Sequence, residues 1–78
     1  NEIHVIDYKT GSQSFIEKAF EQLRFYTAAL IKMNLISDNK PIIHSIVYPL
    51  DKAIKQKKYG SVILFQEQLD QKIKELFE

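Results

Sequence analysis

Apolar and polar positions change rhythm several times along the chain. From Ile3 to Tyr8 the residues are β-branched or aromatic, a run that predicts a strand. Alternation puts Ile3, Val5, Asp7 and Lys9 on one face and His4, Ile6 and Tyr8 on the other. Both faces are largely apolar, which predicts an interior strand covered on two sides. Gly11 and Ser12 end the pattern. Ser14 followed by Glu17 has the spacing of a capping box, so a helix is expected to begin there. At about 100° per residue, Phe15, Ala19, Gln22, Tyr26, Leu30 and Met33 share one stripe, with Ile16 and Leu23 on its flank. Glu17, Glu21, Arg24 and Ala28 lie opposite. This helix is predicted to end near Leu35, before the loop Ser37-Asp38-Asn39-Lys40-Pro41. Gln22 stands out as a polar amide within an apolar stripe.

Ile42 to Leu50 predicts a second strand, with Ile43, Ser45, Val47 and Pro49 on one side and Ile42, His44, Ile46 and Tyr48 on the other. Pro49 should mark its end or an edge position. Asp51 to Gly60 reads as a lysine-rich connection, Ser61 to Phe65 as a short third strand, and Gln66 to Glu78 as a helix with Phe65, Leu69, Ile73, Leu76 and Phe77 on one face. The order strand-helix-strand-strand-helix predicts an α/β fold built on a mixed β-sheet. The first two strands should be parallel through a right-handed crossover. The second and third should form an antiparallel hairpin with a long turn. There is no internal repeat and no low-complexity tract.

At 78 residues the chain fits one small domain, with a thin stability margin. Its composition, 45% hydrophobic and 27% charged, is that of a globular chain and not a disordered one. Eleven basic against ten acidic residues leave a net charge of +1, so bulk charge says nothing about a nucleic-acid partner. The absence of cysteine excludes disulfides and thiolate metal sites, and fits a cytoplasmic location. No apolar run approaches membrane-spanning length, and no membrane partner is expected. The first residue is Asn1 and not Met, from which a truncated domain or processed product is expected.

The candidate chemistry lies at the end of the first strand. Asp7 and Lys9 share a face at its carboxyl end, the edge beyond which open α/β sheets commonly place their sites. A hard divalent cation prefers carboxylate oxygen and keeps water and substrate phosphate as further ligands. A neighbouring ammonium can stabilise charge developing on a phosphate. Acid and lysine two residues apart on a strand therefore suit phosphodiester hydrolysis, although the same spacing also describes an ordinary solvent-facing ion pair.

Val5-Ile6-Asp7-Tyr8-Lys9-Thr10-Gly11, followed by Gln22-Leu23-Arg24-Phe25-Tyr26, resembles the RecB-type branch of the PD-(D/E)xK nuclease superfamily. The first segment matches that family's D-x-K strand and the second its Q-x-x-x-Y helix motif. Together they cover roughly the first third of the chain, and the tail around Phe65-Gln66-Glu67-Gln68-Leu69-Asp70 also resembles AddB-like exonuclease domains. The resemblance implies the C-terminal part of a restriction-endonuclease-like core in a DNA repair or recombination exonuclease. It implies Asp7 and Lys9 as catalytic residues, with Asp7 and the main-chain carbonyl of Tyr8 as metal ligands. Gln22 and Tyr26 would line the site or contact DNA. Mg²⁺ or Mn²⁺ would be the cofactor of the parent enzyme, with none required for folding, and DNA and a fused or partner helicase are the implied partners. Some relatives of this kind carry a cysteine cluster for an iron–sulfur centre, which this chain lacks.

The family also needs another acid, usually an Asp on a preceding strand. Glu2 has the wrong parity relative to Asp7 to replace it. These residues alone are therefore expected to show little or no nuclease activity. The alternatives are a non-catalytic nuclease-like module kept for DNA binding or structure, and an unrelated interaction domain. A truncated sheet would expose an unpaired edge, and self-association through it is expected. Lys52, Lys55, Lys57 and Lys58 read as a solvated turn, and His4 and His44 as structural histidines.

Overall fold

The computed structural model describes residues 1–11 and 13–77; the expected break at Ser12 and the helix end at Glu78 lie outside the described residues. Strand β1 (Ile3–Tyr8) leads through a 3₁₀ turn (Gln13–Phe15) into helix α1 (Ile16–Lys32). Strand β2 (Ile42–Tyr48) follows, then a second 3₁₀ turn (Pro49–Asp51), strand β3 (Ala53–Tyr59) and helix α2 (Val62–Leu76). The sheet has the order β1-β2-β3, with β1 parallel to β2 and β2 antiparallel to β3. The expected mixed α/β architecture is present.

The register shows which side chains share a face. Ile3, Val5 and Asp7 align with Ile42, His44 and Ile46, which align in turn with Tyr59, Lys57 and Lys55. Both helices pack on this face. Ala19, Phe20 and Leu23 of α1 meet Val5, Ile46 and Tyr48, while Val62 and Phe65 of α2 meet Ile42 and Tyr59. Burying Phe65, 0% exposed, contributes roughly 2 kcal/mol. The opposite face carries Ile6, Tyr8 and Ile54, all exposed at its flanks, while Ile43 and Ser45 of the central strand are buried, at 4% each. A monomer of 9.2 kDa exposes about 4900 Å² by the usual scaling, against 5628 Å² here, as expected for a sheet with one uncovered face.

Several sequence expectations are corrected. β1 is an edge strand and not an interior one, because an apolar residue on each face does not say whether both faces are covered. The hairpin turn is short: Pro49 starts it and Lys52 closes it in a left-handed conformation (φ 52°, ψ 40°). The lysine-rich stretch expected to be a connection is β3 itself. Ala53, Lys55, Lys57 and Tyr59 alternate with Ile54, Gln56 and Lys58, and lysine on an edge strand discourages further pairing. The expected third strand, Ser61 to Phe65, is instead the start of α2. A short apolar run fits helix and strand equally. Ser61 decides between them as the N-cap, its Oγ accepting from the Leu64 N–H at 3.1 Å.

On α1 the buried stripe is Ala19, Phe20, Leu23 and Thr27, rotated by roughly 80° from the expected one. Apolar residues cover a broad arc of this helix, so their distribution does not fix its centre. Phe15, Gln22, Tyr26 and Met33 are consequently exposed. The cap position falls on Phe15 and not Ser14, and the helix closes at Lys32, before the expected Leu35.

Candidate functional site

The Lys9 N–H donates to the Val47 carbonyl at 2.9 Å, which carries the β1–β2 pairing one residue past Tyr8. Asp7 and Lys9 are thereby fixed on the face that carries α1. Lys9 Nζ lies 3.0 Å from Asp7 Oδ2, and both side chains are about one-third exposed, at 35% and 34%. The same ammonium donates to Gln22 Oε1 at 3.4 Å. Gln22 lies on α1 about 100° around the axis from the buried Leu23, at the helix edge beside β1. Tyr26, one turn further along, lines a groove of about 400 Å³ together with Asp7, Lys9 and Gln22.

The structure thus brings Asp7, Lys9 and Gln22 into contact and sets Tyr26 beside them, 58% exposed. Gln22, expected within the apolar stripe, is exposed, and its contact with Lys9 is a choice between protein and water. Tyr26, expected in the same stripe, does not pack into the core either. Tyr8 separates the acid from the lysine and turns its side chain to the uncovered face, 68% exposed.

Beyond the Lys9–Gln22 contact lies a second pocket of about 230 Å³, lined by Gly11, Phe15, Lys18 and Tyr48 as well as by Lys9 and Gln22. Gln13 Nε2 donates to Asp51 Oδ2 at 2.9 Å, tying the turn before α1 to the turn before β3. Phe15 stands at the pocket rim, 70% exposed. The rotated helix explains why the sequence pattern hides this pocket: by spacing Phe15 belongs to the apolar stripe and Lys18 to no group.

The donor set does not make a complete site for a divalent cation. Among the described residues Asp7 is the one carboxylate lining the groove, and its Oδ2 already accepts from Lys9. Among the described residues no group of three or more His, Cys, Asp or Glu could hold a metal ion. Glu2 instead sits near His4, 3.6 Å from its Nε2, at the start of the chain.

The four lysines expected to form a solvated turn are distributed along β3 and its approach. Lys57 Nζ lies 3.1 Å from Glu17 Oε2 and 4.8 Å from the centre of the Phe20 ring. His44 is fully buried, sharing a 2.8 Å hydrogen bond between Nε2 and Thr27 Oγ1 and packing edge-on against Tyr59 and Phe65. Its Nδ1 has no hydrogen-bond partner among the described residues. Burial, and then the positive charge of Arg24, lower its pKa to about 4, so it stays neutral.

None of the protein-family models, curated proteins or solved structures compared with the chain matches it.

Proposed function

We propose that the chain is part of a metal-dependent DNA nuclease of the RecB type, contributing the lysine half of a phosphodiester-cleaving site. The observation that supports this most is the position of Lys9, held between Asp7 at 3.0 Å and Gln22 at 3.4 Å on the wall of a solvent-open groove. In hydrolysis a water oxygen bonds to phosphorus while the bond from phosphorus to the departing sugar oxygen breaks. Negative charge gathers on the phosphate oxygens between these events, and the Lys9 ammonium is placed to stabilise it. Asp7 and Gln22 restrict that ammonium to one side of the groove, so less ordering is needed when substrate arrives. The Tyr26 side chain lines the groove where a sugar–phosphate backbone would pass. Mg²⁺ or Mn²⁺ in this reading requires acidic donors beyond Asp7.

The test uses the protein at the full length its gene encodes, with plasmid DNA and Mg²⁺ or Mn²⁺. Cutting that is lost in both Asp7→Asn and Lys9→Ala is expected, and cutting indifferent to both refutes the reading. The 78 residues alone are expected to cut little or not at all. Vigorous Lys9-dependent cutting by them would show that no further acid is required. The single carboxylate in the groove favours one second reading, a nuclease-like module that binds DNA without cleaving it. That reading gains if the full-length protein binds DNA yet never cuts it.

A further inference from the structure

On the flank of α1 away from the Asp7 groove, three elements bring cations together. Arg24 from α1, Lys57 and Lys58 from β3, and Lys72 from α2 line one pocket of about 220 Å³, with Tyr59 and Gln68 also in its wall. Acidic residues are nearly as numerous as basic ones in the whole chain, ten against eleven, yet among the described residues none lines this pocket. Lys57 is paired with Glu17, and Lys58, next to it on the strand, alternates to the other face of β3; Arg24 and Lys72 make no ion pair among the described residues. Like charges gathered in one concavity repel each other, and that repulsion is relieved when an anion enters. Arg24 also acts inward, since its charge is felt at the buried His44.

We infer that this pocket binds a phosphate group, either free on a small molecule or within a nucleic-acid backbone. Several cations converging from different directions suit a tetrahedral, multiply charged oxyanion better than a single carboxylate. Arg24 adds the planar fork that can grip two of its oxygens. The pocket borrows nothing from the Asp7 groove, from which it is separated by the body of α1. The inference therefore stands whether or not the chain belongs to a nuclease. The sequence hides the cluster because Arg24 and Lys72 come from positions far from the basic run Lys52 to Lys58, which supplies only part of it.

The test measures binding of pyrophosphate and of a short single-stranded deoxythymidine oligonucleotide to the 78-residue chain. Chloride at equal ionic strength serves as the control for general screening. The native chain is compared with Arg24→Gln and with Lys72→Ala, whose side chain is exposed and whose loss leaves the core intact. Binding of at least one probe to the native chain, weakened roughly tenfold or more in both variants, is expected. For the oligonucleotide, the slope of log K against log salt should also shrink by about 0.7 for each phosphate contact removed. Saturable pyrophosphate binding with no tighter hold on the oligonucleotide assigns the pocket to a free phosphorylated molecule. The reverse assigns it to a strand. Failure of both probes to bind, or equal binding by native and variant chains with unchanged melting temperatures, overturns the inference.

Discussion

Two of the polar contacts that helix α1 makes with the sheet beneath it have opposite characters. Near its start, Gln22 accepts from Lys9 at 3.4 Å in a groove open to water. Further along, Thr27 shares a 2.8 Å hydrogen bond with His44 where neither side chain is exposed. A buried donor or acceptor that loses its partner also loses any chance of replacing it with water, whereas an exposed one exchanges partners at little cost. The His44–Thr27 contact should therefore matter to folding, and the Lys9–Gln22 contact to chemistry. The helix turns one flank to the solvent and its centre to the core, and that alone separates the two roles.

The largest effect that could break this division lies at the open end. In the full-length protein, Lys9→Ala should lower DNA cutting by about a hundredfold or more, the usual loss when a charge-stabilising donor is removed. Its melting temperature should scarcely change, because an exposed ion pair contributes about 1 kcal/mol at most. A large drop in melting temperature would mean that Lys9 is structural and that the division is wrong.

Next in size is the pH dependence of the sealed end. His44 carries a pKa lowered to about 4 in the fold, against an ordinary value of 6.5 in the unfolded chain. Above the unfolded value both states hold the ring neutral, and this contribution to stability is complete. As pH falls from 6.5 towards 4 only the unfolded chain gains the proton, so stability is lost across that window. The loss should total roughly 3 kcal/mol, read from urea denaturation at successive pH values. His44→Leu should flatten this dependence, and an unchanged slope would show that other groups cause it.

Thr27→Val keeps the shape of the side chain but leaves His44 Nε2 without its partner. A stability loss of about 1–3 kcal/mol is expected by chemical denaturation, with no effect on cutting beyond that caused by unfolding. A neutral result would put the sealed contact on the same footing as the open one. The smallest effect is expected away from both, at Lys52, whose left-handed backbone costs about 1 kcal/mol for a residue with a side chain. Lys52→Gly should relieve part of that, offset by the greater freedom of glycine in the unfolded chain, for a net rise of less than about 1 kcal/mol.

The parts of this molecule that sequence reveals are those set by local chemistry. β1 and β2 show themselves through β-branched residues, Pro49 marks the end of β2, and the juxtaposition of Asp7 with Lys9 follows from strand alternation. What it conceals depends on the partner each residue meets. Val62 to Phe65 is apolar enough for a strand, and the hydroxyl of Ser61 turns it into a helix start. The lysines of β3 look like a loop because only Ala53 and Tyr59 of their face reach the core. The facing of α1 was misjudged because Phe15 and Tyr26 are as apolar as Phe20 and Leu23, and Thr27, the polar residue that is buried, has no signal before His44 is known to lie beneath it. Gln22 lies beside Lys9 although it is exposed and not part of the buried stripe that its spacing suggests. The Arg24 pocket was invisible because it draws on three elements.

The strand that carries Asp7 and Lys9 is also the one with the costliest closure. β2 and β3 meet across a short turn, and α2 follows β3 after two residues, so these contacts are local. Pairing β1 with β2 must first draw together the ends of everything from Lys9 to Pro41, helix included. Closure of so long a loop comes late and is the first to reopen. Amide protons of β1 should accordingly exchange with solvent faster than those of the β2–β3 ladder. The acid and lysine would then be in place only while that final pairing is closed, so that the population of the closed strand sets an upper limit on how much of the protein can act at any moment.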